Sequence, residues 1–292
     1  MKLRIALLLI FCVAVYSAES KKQRSIEEYA YEHAFSVLFM PDKRYPYFQS
    51  MPYGYQPTKA LNSALWHAEL ALLLYNEKEF IFDKLKALQV SVKYFDAPRT
   101  DTQAILVQSL NNCHAIFRGT ETFNLKDALT DSLFFRENWQ GAGKVHKGFH
   151  RAIDDLFQTT SIIADLKKCQ NLTVAGHSLG AALGTLASDL LPQVQKMYSF
   201  GAPRIGDQVF VSHHKVPTLR YVHASDIVNY VPFESLGYKH SVSATILQSQ
   251  HKYPDGLSWN YIKKSLFLPI MDHAMVFYCL ALLRKPFTKN IN

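Results

Sequence analysis

Cysteine is scarce in these 292 residues, with four in all, at positions 12, 113, 169 and 279. A chain so poor in cysteine is not a disulfide scaffold. Cys12 lies in an N-terminal apolar segment that reads as a removable leader. Cys113, Cys169 and Cys279 then remain, so at most one bridge can form, and the sequence does not say which. Cys113 sits in an apolar strand segment and reads there as a small hydrophobe. Glycine and proline, 12 of each, are in no excess, which sets aside disordered low-complexity chains. Internal repeats are also lacking. The N-terminal apolar run, Ile5 to Val15, falls short of the roughly 20 residues that a membrane span needs. Despite a formal charge of +8, no basic stripe interleaved with aromatics marks a nucleic-acid surface.

Lys2 and Arg4 precede that apolar run, and the small residues Ser17 and Ala18 follow it. A basic n-region, a short apolar core and small residues at the end describe a secretory signal over residues 1–18. Residues 19–292 are then expected to form one domain, secreted and free of a membrane span. Losing Lys2 and Arg4 leaves a modest, scattered positive excess, concentrated only at Lys21, Lys22 and Arg24. It reads as a solvated basic surface, with weak attraction to anionic membranes as the alternative. With 48% hydrophobic residues, the chain can bury a large core. Asn171-Leu172-Thr173 fits the N-glycosylation pattern but opens a strand, and is expected to stay unmodified.

Helical patterns cover Ser25 to Met40, Leu61 to Tyr75 and Phe80 to Leu88. Val90 to Phe95 is a strand, and Ala104 to Gln108 with Asn112 to Phe117 form a hairpin about Leu110-Asn111. Beyond it, strands and helices alternate. The strands are Leu172 to Ala175, Met197 to Phe200, Leu219 to His223 and Val242 to Leu247, the last with Val242, Ala244 and Ile246 on one side. The helices are Gly148 to Leu166, Leu179 to Leu191 and Ala274 to Leu283. That alternation predicts an α/β class fold with a central, mostly parallel sheet flanked by helices.

The sharpest chemical signal is Gly176-His177-Ser178-Leu179-Gly180. A strand runs into it and a helix leaves it, the context in which G-x-S-x-G presents a nucleophilic serine. Both glycines are needed where the turn brings its own backbone close. The hydroxyl is aimed at the positive end of a helix, where anionic charge is favoured. A second signal is Arg118-Gly119-Thr120-Glu121, at the end of a strand. An oxyanion hole needs the N–H after the nucleophile, here that of Leu179, and a second donor from a neighbouring loop. Thr120 could supply that donor through its N–H and its hydroxyl.

The chain resembles the class 3 lipases, the fungal-lipase-like α/β-hydrolases, over roughly Leu61 to Leu282. The resemblance rests on four motifs in order: Phe117-Arg118-Gly119-Thr120, Val145-His146-Lys147-Gly148-Phe149, the Gly176–Gly180 pentapeptide, and Phe200-Gly201-Ala202-Pro203-Arg204-Ile205-Gly206. It implies an α/β-hydrolase core with a short helical lid, Ser178 as nucleophile and Thr120 at the oxyanion position.

In α/β-hydrolases the acid and then the histidine follow the serine along the chain. Asp226, after an apolar strand and before Ile227-Val228, is the acid expected here; it also resembles the family's acid motif. Asp207, read as a helix cap, and Asp255 are its rivals. His273, directly before the last apolar helix, is the expected base and matches the family's histidine position. His240 is read as structural, and His251 is the other histidine downstream. His146 and His150 stand four apart, but Gly148-Phe149 and the missing glutamate argue against a zinc site, so no metal or cofactor is expected.

Asn124 to Phe135 has an amphipathic helical pattern, with Leu125, Leu129 and Leu133 on one face. It leaves the oxyanion loop directly and reads as a lid, with an ordinary packed helix as the alternative. The expected substrate is an acylglycerol-type ester at a lipid–water interface. Phospholipid, other carboxylic esters or acyl transfer are open alternatives, as is an inactive lipid-binding protein on the same fold.

Overall fold

The structure is a computed structural model, and it describes residues 63–86, 88–109, 111–119, 135–248, 270 and 272–284. The expected leader, the helix expected from Ser25 to Met40 and most of the segment expected to be a lid lie outside these residues.

Two helices, α1 (Ser63–Leu73) and α2 (Lys78–Lys86), precede three strands, β1 (Ser91–Ala97), β2 (Thr102–Ser109) and β3 (Asn112–Phe117). These strands form an antiparallel meander. A small ribbon follows, β4 (Arg136–Asn138) with β5 (Lys144–His146), leading into α3 (Lys147–Thr159) and α4 (Ile162–Leu166). The chain then alternates through β6 (Asn171–His177), α5 (Leu179–Leu190), β7 (Val194–Phe200), α6 (Gln208–His213), β8 (Thr218–His223), β9 (Ala244–Leu247) and α7 (Met275–Arg284). Seven strands make one sheet in the order β1-β2-β3-β6-β7-β8-β9, parallel from β3 onward.

Alternation along the strands feeds two cores. On β2, Ile105 and Val107 join the core under α1 and α7, whereas Ala104 and Leu106 join the one under α3 and α5. Both faces are covered, which is why the central strands read as continuous apolar runs. Leu70, Leu73 and Leu74 in and after α1 are fully buried. Truncating one such leucine to alanine costs about 2–5 kcal/mol.

Register decides where the chemistry can sit. Phe117 pairs with Gly176, His177 with Phe200, and Phe200 with Tyr221. The C-terminal ends of β3, β6, β7 and β8 therefore lie side by side, and the loops leaving them share one edge of the sheet. In parallel sheets that edge is where ligands bind.

Three local expectations need correction. Cys113 is not merely a small hydrophobe: it is bridged to Cys169, 56 residues away, with Cα atoms 6.0 Å apart. Cys169 sits in the turn entering β6, and the register places Cys113 beside Leu172, so topology joins what spacing could not. The helix expected from Gly148 to Leu166 is two helices. Thr159 and Thr160 turn their hydroxyls back onto the carbonyls of Asp155 and Leu156, Thr160 is extended, and its Oγ1 accepts from Ile162 N to start α4. Finally, β9 begins at Ala244, and it is Leu247 that enters the core, while Ile246 is exposed.

Candidate active site

Ser178 forms the turn between β6 and α5 at φ 56° and ψ −126°, a conformation that costs energy for a residue with a side chain. The glycines around it are dictated by contact. A Cβ on Gly176 would stand 2.2 Å from the Gly180 carbonyl oxygen, and one on Gly180 would stand 2.1 Å from that of Phe117. The turn is anchored by Ser178 N–H donating to the Phe200 carbonyl at 3.0 Å. Ser178 is buried, and its Oγ has no hydrogen-bond partner among the described residues. It heads a helix of 12 residues, whose first N–H groups have no intrahelical acceptor. That of Leu179 is the first of them.

Asp226 lies in the loop after β8 and is fully buried. Its Oδ1 accepts from Val228 N at 2.8 Å, capping the 3₁₀ turn Ile227–Tyr230. Its Oδ2 meets His273 Nδ1 at 2.8 Å and accepts from the Tyr278 hydroxyl at 2.5 Å. A buried carboxylate needs this many donors to be tolerated. Because Nδ1 donates to Asp226, the Nε2 of a neutral His273 is left as an acceptor. Gly201, at the end of β7, threads past this pair at φ 55°. A Cβ there would stand 2.7 Å from Asp226 Oδ2 and 3.1 Å from His273 Nδ1.

A second acidic residue ties the two loops together. Asp272 Oδ2 accepts from Ser225 N at 3.0 Å, and its Oδ1 lies 3.4 Å from His223 Nδ1. Asp272 and His223 are both buried.

The structure thus brings Ser178, Leu179, Asp226 and His273 to one edge of the sheet. Thr120 and Leu125, Leu129 and Leu133, the leucines of the expected lid, lie outside the described residues, as do the rivals Asp255 and His251. Gly119, the residue before Thr120, packs against the elbow: a Cβ on it would be 2.7 Å from the His177 carbonyl oxygen. The remaining rivals have structural roles. Asp207 caps α6 by accepting from Phe210 N. His240 Nε2 donates to the Asn229 carbonyl at 2.8 Å, and burial, then the charge of Arg220, lowers its pKa to about 4. His146 Nδ1 accepts from Gly148 N and caps α3, while His150 faces Glu137 and Asp154. Among the described residues no cluster of three or more His, Cys, Asp or Glu could hold a metal. Nor is any described helix long and apolar enough to cross a membrane.

Three residues at this edge are not visible as such in the sequence: Tyr75, His177 and Tyr278. His177 occupies a variable position of the elbow pattern, and Tyr278 lies inside an apolar helix where aromatics ordinarily mean core.

Residues 114–236 match the family described as lipase (class 3). That match spans 123 of the 292 residues, and over it the chain is similar to class 3 lipases. The lipase match begins in β3 and ends ten residues past Asp226, so it contains the elbow and Asp226 but not His273. A Rhizopus niveus lipase is 30% identical over 165 residues, 50% of this chain and 42% of that protein. A secreted mono- and diacylglycerol lipase of Malassezia globosa is 33% identical over 144 residues, 42% of this chain and 47% of that one. The chain thus aligns with less than half the length of these relatives. Among solved structures, a lipase from Rhizopus microsporus var. chinensis superposes with a TM-score of 0.54 at 25% identity, covering 67% of this chain and 76% of that one. A triacylglycerol lipase described as having a serine-protease triad reaches 0.57 at 20% identity, over 75% and 96%. These neighbours share the α/β-hydrolase fold with this chain.

Proposed function

We propose that the chain is a secreted serine hydrolase of carboxylic esters in acylglycerol-type lipids. The observation that carries this reading is the buried His273–Asp226 pair, at 2.8 Å, on the same sheet edge as the strained Ser178 elbow. In the proposed cycle His273 Nε2 takes the proton of Ser178 Oγ as that oxygen attacks the ester carbonyl. Asp226 holds the imidazole by Nδ1 and stabilises its cation. The N–H of Leu179 and Thr120 receive the oxyanion. His273 then returns the proton to the departing alcohol. Water, deprotonated by the same imidazole, attacks the acyl-enzyme; the acyl–Oγ bond breaks, the acid leaves, and His273 returns the proton to Ser178 Oγ. The cycle uses no cofactor.

The substrate class is drawn from the relatives, several of which are named as mono- and diacylglycerol lipases. Their description as secreted agrees with the leader-like pattern of residues 1–18. The intact acid–base pair speaks against a lipid-binding protein without activity. The test is hydrolysis of p-nitrophenyl esters and emulsified acylglycerols by the purified chain. Ser178→Ala is expected to stay folded and to lose turnover by roughly a millionfold. Near-normal turnover in that variant would refute the reading. A chain that cleaves soluble esters but no acylglycerol would keep the mechanism and change the substrate.

A further inference from the structure

His177 stands between the elbow and the base. Its Nε2 lies 2.8 Å from the backbone carbonyl oxygen of His273, a group that can only accept, so Nε2 carries the proton. Nδ1 is then an acceptor, and the hydroxyl of Tyr75 donates to it at 2.7 Å. One tautomer is fixed from both sides. The ring also lies against that of His273, with centroids 4.5 Å apart and planes 30° from parallel. Tyr75, in the turn after α1, reaches the oxyanion loop as well. A Cβ on Gly119 would fall 2.0 Å from its hydroxyl oxygen. Three loops of the site therefore converge on a two-residue chain of hydrogen bonds.

The base needs such an anchor. Its side chain is held by Asp226 through Nδ1, which sets the tautomer, and its backbone N–H donates to the Ile270 carbonyl at 3.2 Å. The hydrogen bond from His177 adds a hold on its backbone oxygen. Burial, then the positive charge that His273 can carry, hold the His177 pKa well below its ordinary 6.5. The ring is thus a neutral donor, and it does not compete for the proton that His273 takes.

We propose that His177 is a positioning residue: Tyr75 fixes its tautomer, and its Nε2–H fixes the backbone of His273, and so the place of the imidazole relative to Ser178. This rests on reading Ser178 and His273 as nucleophile and base. Misplacing a catalytic group slows the proton transfer and leaves binding of the ester untouched, so the effect falls on kcat and not on KM. A histidine that merely filled space would leave kcat per folded molecule unchanged when replaced by leucine.

The experiment uses the full chain and a dissolved short-chain p-nitrophenyl ester, with Ser178→Ala, Tyr75→Phe, His177→Leu and His177→Gln side by side. Tyr75→Phe and His177→Leu are expected to lower kcat on the order of ten- to a hundredfold with KM nearly constant. His177→Gln, which keeps an N–H donor within reach of the carbonyl, is expected to recover most of the loss. Tyr75→Phe removes a single oxygen and carries the test if His177→Leu fails to fold. Full kcat in a folded Tyr75→Phe and a folded His177 variant, beside an inactive Ser178→Ala, would overturn the positioning role and spare the nucleophile. An active Ser178→Ala would overturn both. Nitrogen-15 spectra of the imidazoles add a direct readout at neutral pH: His177 protonated on Nε2 supports the proposal, and on Nδ1 contradicts it.

Discussion

The Tyr278 hydroxyl and His273 Nδ1 share one oxygen, Oδ2 of Asp226, at 2.5 and 2.8 Å. Burial, and then the charge of Asp226, push the Tyr278 phenol well above its ordinary 10, so it stays protonated and donates. Removing the donor leaves a buried carboxylate one hydrogen bond short. Tyr278→Phe should therefore cost about 1.5–3 kcal/mol of stability, the range for hydrogen bonds to charged groups. Its kcat should fall by less than about tenfold, because His273 keeps its own bond to the carboxylate. Urea unfolding and steady-state rates on a soluble ester measure the two effects. Unchanged stability would mean that the contact carries no net energy.

The Cys113–Cys169 bridge ties together the start of β3 and the turn entering β6. Closing a loop of 56 residues restricts the unfolded chain, and its loss should cost about 2–5 kcal/mol. The bridge lies at the strand ends opposite to Ser178. Cys113→Ala with Cys169→Ala should lower the melting temperature and leave kcat per folded molecule unaltered. A fall in kcat without a fall in melting temperature would contradict this.

Stability should decline in mild acid. Burial lowers the pKa of His114 to about 4, and burial with the charge of Arg220 does the same for His240. His114 also faces His67, Nδ1 to Nε2, at 3.0 Å. Unfolded, both histidines take up protons near pH 6.5; folded, they do so only near pH 4. Between those values the unfolded chain binds more protons, so stability drops as pH falls through the window. Urea midpoints should move down between roughly pH 7 and pH 4.5. His114→Gln should flatten the slope, and an identical slope in that variant would remove His114 from the explanation.

The amphipathic pattern of Asn124 to Phe135 is proposed as a lid. Exposing Leu125, Leu129 and Leu133 to water costs roughly 1.5–3 kcal/mol for each side chain, a cost that a lipid surface removes. Rates on a short-chain ester should rise steeply past its solubility limit. Leu129→Ser with Leu133→Ser should flatten that rise and preserve activity on dissolved ester. A smooth hyperbola through the limit in the unaltered chain would rule the lid out.

Much of this was legible in the sequence, for identifiable reasons. Apolar runs and helical spacing marked the strands of the large sheet and most of the helices, because both faces of that sheet are covered; the ribbon β4–β5 left no such signal. The elbow was legible because close backbone approach admits only glycine at 176 and 180, which leaves a fixed spacing in the chain. Asp226 and His273 were legible through chain order and flanking elements. What escaped depends on three-dimensional neighbours. The partner of Cys113 is set by the β3–β6 register, which no spacing encodes. The roles of Tyr75, His177 and Tyr278 arise from hydrogen bonds spanning 102, 96 and 52 positions. The exposed Ile246 shows the same limit: an alternating pattern gives two faces but not which of them an edge strand turns to the core.

The nucleophile itself can be read most directly by covalent capture. The purified chain is treated with a fluorophosphonate, digested, and mapped by mass spectrometry. One phosphonyl adduct is expected, on the peptide containing Ser178. It should be absent from Ser178→Ala and strongly slowed in His273→Ala and Asp226→Asn. An adduct on another serine, or equal labelling of Ser178→Ala, would contradict the assignment of Ser178 as the nucleophile.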